Sequence, residues 1–195
     1  MSENQEKISA RDWFRFRHPF ADRKEKYLSK AGDYKCLILG TFPSVASRDY
    51  GYFYGNSTNG FWEYLGDVFN VDLMEKNKEQ REEWLNQNGI ALYDVVESYE
   101  GLDWYSNDEA LYRCGEKHEY CLDFVRGFLQ KNEKSKIMFT SKKAQDRFEK
   151  FIKNEIVNNV ELVYLPSPSR TNRTKTKENK IKEWRDAFKK AGLIK

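Results

Sequence analysis

At 195 residues, with 39% hydrophobic and 33% charged side chains, the chain can fill one core but would supply two thinly, which argues against a two-domain protein. No run approaches the roughly 18 to 20 apolar residues that cross a bilayer, and residues 1–17 are too charged for a secretory signal, so a soluble, cytoplasmic protein with no membrane partner is expected. Three cysteines (Cys36, Cys114, Cys121) exclude a four-cysteine cluster within one chain, and two histidines (His18, His118) give little support for zinc; reduced thiols, no metal and no cofactor are expected. Residues 1–10 are polar and read as a frayed end, with 11–195 as a single domain. From Asp12 to Lys30, rings at Trp13, Phe14, Phe16, Phe20 and Tyr27 mix with Arg15, Arg17 and Arg23, and Pro19 interrupts any long helix; an irregular arm and a short helix are expected. Gly32-Asp33 reads as a turn.

Tyr34 to Thr41 reads as the first strand, with Cys36, Leu37, Ile38 and Leu39 buried on both faces and Gly40 and Pro43 ending it. A loop then carries Tyr50, Tyr52, Phe53 and Tyr54, flat surfaces that suit a flat ligand. It runs into a helix with Phe61, Trp62, Leu65, Val68 and Phe69 inward. Glu75 to Asn86 is a surface helix closed before Asn88-Gly89. Ile90 to Tyr93 reads as a second strand, with Asp94 and Glu97 just beyond its end, where a crevice residue belongs. Gly101 to Gly115 shows no periodicity and reads as a long loop. The next helix is marked by Tyr120, Leu122, Phe124, Val125, Phe128 and Leu129, and His118 reads as lying at its start. Strands at Lys136 to Ser141 and Glu161 to Leu165 flank a helix with Ala144, Phe148, Phe151 and Ile152 inward. A last helix from Thr176 or Lys177 to Ala191 buries Ile181, Trp184, Ala187 and Phe188 and is closed by Gly192. This alternation implies an α/β fold whose mainly parallel sheet is covered on both faces.

The charge is uneven although the net charge is only +3. Arg170 to Lys195 holds ten Lys/Arg against three acids, and Ile90 to Asp123 holds nine acids against Arg113 and Lys117. A basic run of this kind follows a phosphate backbone or forms a solvated helix face, so nucleic acid enters as a candidate partner.

Two loops at strand ends carry the candidate chemistry, because ligands of open α/β sheets bind at the carboxyl edge. One follows the first strand; the other is LPSPSRTNR from Leu165 to Arg173, where prolines beside hydroxyl residues make a stiff loop. Ser167, Ser169 and Thr171 are placed for phosphate contact, Pro168 stiffens the loop between them, and Arg170 for a groove or the space of a displaced base. The alternative is a proline turn opening the last helix. A serine-hydrolase reading fails for want of Gly-x-Ser-x-Gly, and no dinucleotide or triphosphate glycine spacing follows Gly40.

HPF at His18 to Phe20, LILGTFPS at Leu37 to Ser44, GYFYG at Gly51 to Gly55, NxFW at Asn59 to Trp62, GIALYDVV at Gly89 to Val96 and LPSPS at Leu165 to Ser169 occur in one order. Together they resemble the uracil-DNA glycosylase superfamily, closest to its hypoxanthine (deoxyinosine) DNA glycosylase branch and next to the mismatch-specific uracil-DNA glycosylases. The resemblance implies a three-layer α/β/α sandwich on a four-stranded parallel sheet and a monofunctional glycosylase without cofactor. Its substrate would be a deaminated base, hypoxanthine or uracil, extruded from duplex or single-stranded DNA. A monomer is expected.

By the same resemblance Gly40, Thr41, Phe42, Pro43 and Ser44 form the base pocket, backbone groups of Thr41 and Phe42 bind the base edge, and Tyr54 stacks on the base. Asn59 positions the attacking water; as a favoured cap, Asn59 also suits the start of the following helix. Many superfamily members carry Asn or Asp where Phe42 stands. Asn56-Ser57 replaces the usual His-Pro, Gly60 a usual basic residue, and Arg170-Thr171 usual small residues. These departures favour an alternative, a nucleic-acid or nucleotide binding protein on the same fold with impaired catalysis.

Overall fold

A computed structural model describes residues 13–29, 34–106, 108–113, 117–156 and 159–195, the Arg113 side chain excepted. The frayed end expected at 1–10, the turn at Gly32-Asp33 and Cys114 lie outside the described residues.

The central sheet is parallel throughout. Its strands are β2 (Cys36–Gly40), β3 (Ile90–Asp94), β6 (Lys136–Phe139) and β7 (Leu162–Tyr164), in the order β3-β2-β6-β7. β2 lies inside the sheet and is buried at every position, which is why CLILG reads as an unbroken apolar run. β7 lies at the edge, and Tyr164 remains exposed.

Helices flank the sheet in the α/β/α arrangement expected. α3 (Phe61–Phe69) packs on α8 (Lys177–Lys190) through Phe61, Tyr64 and Trp184. α1 (Arg23–Ser29) meets α6 (Leu122–Lys131) through Tyr27 and Phe124. α7 (Lys142–Phe151) sets Phe148 against Phe139. α4 begins at Lys78 and not Glu75, because Asn77 and Gln80 form a reciprocal capping box; it ends at Gln87.

A second sheet was not expected. β1 (Phe14–Arg17), β4 (Val96–Gly101) and β5 (His118–Tyr120) form an antiparallel sheet in the order β1-β4-β5. The segment read as an irregular arm is therefore partly a strand. His118 lies in β5 and not at a helix start, and Tyr120 pairs with Val96, so the helix expected from Tyr120 begins at Leu122. The stretch read as a loop over 101–115 contains α5 (Asp108–Arg113), and the aromatic loop after β2 begins with α2 (Val45–Tyr50); each spans six residues, too few to show a helical period. Val96, Tyr99 and Leu111 make a small core under this sheet, onto which Phe16 and Phe42 pack.

Candidate active site

Parallel strands end on one edge, so Gly40 and Asp94 stand side by side in register at the carboxyl ends of β2 and β3, and Thr140 follows β6. They floor a cavity of about 630 Å³. Gly40 is dictated by close approach: a Cβ there would overlap Asp94 Oδ1 and lie 3.1 Å from the Tyr54 hydroxyl. Thr41, Phe42, Pro43 and Ser44 form the adjoining wall, and the N–H groups of Thr41, Phe42 and Ser44 meet no acceptor among the described residues. The wall is held from behind. Trp104 Nε1 donates to Pro43 O at 2.8 Å, Val45 N donates to Ser106 Oγ at 3.1 Å, and Ser44 caps α2 by accepting from Ser47 N.

Phe42 borders the cavity, but its ring is 5.1 Å from Tyr99 and 5.2 Å from Trp104. It packs on the small core under the second sheet and edge-on against His18, which explains an apolar residue where relatives by motif carry a polar one.

The aromatic loop is mostly core: Tyr52 and Phe53 are buried, and Tyr50 is exposed away from the cavity. Tyr54 differs. Its backbone is left-handed, with φ 52°, and its ring stacks on Phe61 at 3.8 Å. Its hydroxyl lies 3.0 Å from Thr140 Oγ1, and burial, with the charge of Asp94 adding, pushes its pKa upward. Phe61 thus backs one face of a ring that also borders the cavity.

Asn59 Oδ1 accepts from Phe61 N at 2.9 Å, so the residue closes the first turn of α3 for Gly60, which occupies the N-cap position without a side chain. No partner engages its Nδ2 among the described residues, and Asn59 borders the cavity. The cap expected of Asn59 is present, one residue outside the formal cap. Gly60 also has a steric reason: a Cβ would lie 2.7 Å from the Tyr64 ring and 3.2 Å from Pro168 O.

The two loops meet. Asn59 and Ser169 form an antiparallel bridge, and Gly60 N donates to Pro168 O at 2.9 Å. Trp184 Nε1 donates to Pro166 O, and the buried Lys180 ammonium donates to Asn172 O at 2.6 Å and Ser169 O at 3.3 Å. Ser167, Pro168, Ser169 and Thr171 border the cavity. Arg170 does not: it reaches Glu63 at 3.4 Å, beside Lys177 at 2.5 Å from the same carboxylate.

Behind Gly40 lies a pair that sequence reasoning left unjoined. His18 Nε2 is 3.1 Å from Asp94 Oδ2, and both side chains are almost wholly shielded from solvent. His18 sits directly after β1, so the unexpected sheet delivers it. The signal was available in HPF and in the acid ending the second strand, 76 residues apart. No cluster of three or more His, Cys, Asp or Glu among the described residues is placed to hold a metal ion.

No protein-family model matches the chain. Among solved structures it is similar to a solution structure of a candidate uracil DNA glycosylase from Methanosarcina acetivorans, with a TM-score of 0.64 and 27% identity over 84% of this chain and 94% of that one. The fold is that of uracil-DNA glycosylase-like proteins. Hypoxanthine DNA glycosylase of Methanosarcina acetivorans is 30% identical over 153 residues, 78% of this chain and 89% of that protein. Hypoxanthine DNA glycosylase of Methanosarcina barkeri is 39% identical over 62 residues, 32% of this chain and 39% of that protein. The chain belongs to the uracil-DNA glycosylase superfamily, in its hypoxanthine DNA glycosylase branch.

Proposed function

We propose that the protein is a monofunctional DNA glycosylase that hydrolyses the N-glycosidic bond of a deaminated base, hypoxanthine or uracil, turned out of DNA. The observation that carries this reading is the joining of the first and second loops around one cavity lined by Thr41, Phe42, Tyr54 and Asn59, with the N–H groups of Thr41 and Phe42 meeting no acceptor among the described residues. A base inside a duplex is unreachable, and extruding it costs a few kcal/mol, which stacking in a pocket offsets. Tyr54 supplies the stacking face, held flat by Phe61. The Thr41 and Phe42 N–H groups hydrogen-bond a carbonyl of the base, where negative charge gathers as the bond to C1′ breaks; preorganised donors aimed at developing charge lower the barrier.

Water adds its oxygen to C1′ as the base departs with the bonding electrons, and the water's proton ends on the base. Asn59 holds that water through its Nδ2, its Oδ1 being taken by Phe61 N. Ser167, Ser169 and Thr171 contact phosphates, with Pro168 stiffening the loop, and Arg170 joins them after leaving Glu63. No step calls on a metal or cofactor.

The test is a panel of single- and double-stranded oligonucleotides carrying uracil, hypoxanthine, xanthine or mismatched thymine, read as alkali-labile sites, with salt-dependent binding measured beside it. Alkali-labile product at one of these bases, unchanged by chelator, is expected. Binding without product on every member overturns the reading in favour of a second one, a nucleic-acid binding protein without catalysis. The observation favouring that second reading is Phe42, whose ring is spent on packing against Tyr99 and Trp104.

A further inference from the structure

Within a base-excising site, on which this step rests, one buried polar pair has no role in the chemistry above. Phe20 N donates to His18 Nδ1 at 3.1 Å, so that nitrogen is an acceptor and the ring hydrogen sits on Nε2, which faces Asp94 Oδ2 at 3.1 Å. The ring cannot turn over to reverse this. It stacks on Tyr93 at 4.3 Å, has Phe20, Phe42 and Phe53 at its edges, and its side chain is 0% exposed. Asp94 is thereby pinned by one oxygen. The other, Oδ1, stands against the bare Cα of Gly40 at the cavity floor, engaged by no donor among the described residues.

We infer that His18 fixes the hydrogen-bonding polarity of Asp94, so that the cavity floor presents only an acceptor and selects bases whose inner edge carries an N–H. Hypoxanthine offers N1–H and uracil N3–H. Adenine and cytosine, from which deamination makes them, present a bare ring nitrogen at those positions, and its lone pair would face the carboxylate. The damaged base and its parent thus differ by the sign of one hydrogen bond at Asp94 Oδ1. Xanthine, which keeps N1–H, is admitted on the same ground. Asp94 is the specificity-determining residue, and His18 is a positioning residue that acts through it.

The experiment compares hypoxanthine with unsubstituted purine in otherwise identical oligonucleotides; purine has the same rings, a bare N1 and no added bulk. Because it also lacks the carbonyl assigned to Thr41 and Phe42, the reading is the change in preference between wild type and variant, in which that carbonyl contact is common to both. Excision and equilibrium binding are both measured on the full chain. A wild-type preference for hypoxanthine of at least about tenfold is expected in both, the scale of a hydrogen bond to a charged group. Asp94→Asn, whose amide carbonyl accepts from His18 and turns its N–H₂ to the cavity, reduces the preference by at least about tenfold, with purine gaining as hypoxanthine loses. His18→Phe reduces it with Asp94 intact, and His18→Gln, which restores a donor, recovers it; thermal melting of each variant monitors folding.

An unchanged preference in Asp94→Asn, or equal behaviour of His18→Gln and His18→Phe, overturns the inference. If His18→Phe does not fold, Asp94→Asn decides alone. Absence of excision with the binding preference and its loss in Asp94→Asn intact sinks the proposed function and sustains this inference. Excision that ignores Asp94→Asn does the reverse.

Discussion

The rings of Tyr54 and Phe61 lie face to face, 3.8 Å between centroids and 4° from parallel, while the Tyr54 backbone holds a left-handed φ of 52°. A non-glycine residue in that region costs roughly 1–2 kcal/mol, so packing and the Thr140 contact hold the ring against local preference. Tyr54→Ala should lower excision by about 5- to 150-fold, the equivalent of the 1–3 kcal/mol that a stacked base contributes. Phe61→Leu keeps an apolar side chain in the core but removes a buried ring that also meets Trp62 and Trp184, and should cost roughly 1–3 kcal/mol of stability. Single-turnover rates of Phe61→Leu should also fall, because the ring of Tyr54 loses its flat backing.

Asn59 is asked to serve two functions with two different atoms. Asn59→Asp keeps the acceptor for Phe61 N and loses the Nδ2 donor; Asn59→Ala loses both. Chemical denaturation should show Ala costing about 1 kcal/mol as a lost cap and Asp costing little. Product formation should fall in both variants by far more than any change in DNA affinity. A rate that tracks the stability loss alone would leave Asn59 as a cap.

Lys180 is 2% exposed although it lies on the terminal helix, and burial lowers its pKa. Its ammonium holds the carbonyls of Ser169 and Asn172, so it shapes the second loop from beneath. Lys180→Met keeps the stem and removes those bonds, at a cost of about 1–3 kcal/mol. Amide exchange over residues 169–174 should quicken, and DNA affinity should fall further than it does when an exposed lysine such as Lys182 is replaced.

Burial lowers the pKa of His118 below its ordinary 6.5, outweighing its contact with Leu111 O; Arg147 adds to the lowering. The unfolded chain therefore takes up a proton before the folded one does. The contribution of His118 to stability is present above pH 6.5 and is lost as pH falls through the folded pKa. Urea denaturation between pH 8 and pH 5 should show that decline, and His118→Phe should flatten it.

The strands β2 and β3 were legible because burial on both faces leaves continuous apolar runs, at Cys36–Gly40 and Ile90–Asp94, and β6 and β7 from shorter apolar runs, although β7 is only partly buried. The second sheet was not, although Phe14 and Phe16 alternate with Arg15 and Arg17 in a strand-like period; β1 is largely exposed, and Pro19 drew the reading toward an arm. Asn59 as a cap followed from its residue type ahead of an apolar helical run, and both loops were placed at strand ends from their local composition, but their meeting through the Asn59–Ser169 bridge was not legible. The ion pair that holds Arg170 on Glu63 and the contact of His18 with Asp94 depend on tertiary placement, over separations of 107 and 76 residues. No local pattern encodes those.

The bridge between Asn59 and Ser169, with Gly60 N on Pro168 O, is made of main-chain atoms. Apart from Gly60, where a Cβ would crowd Pro168 O, such a seam does not depend on the side chains beside it. The mouth of the site therefore keeps its shape while neighbouring positions such as Asn56, Ser57 and Thr171 vary, so substrate preference can diverge within the family without the opening being rebuilt each time.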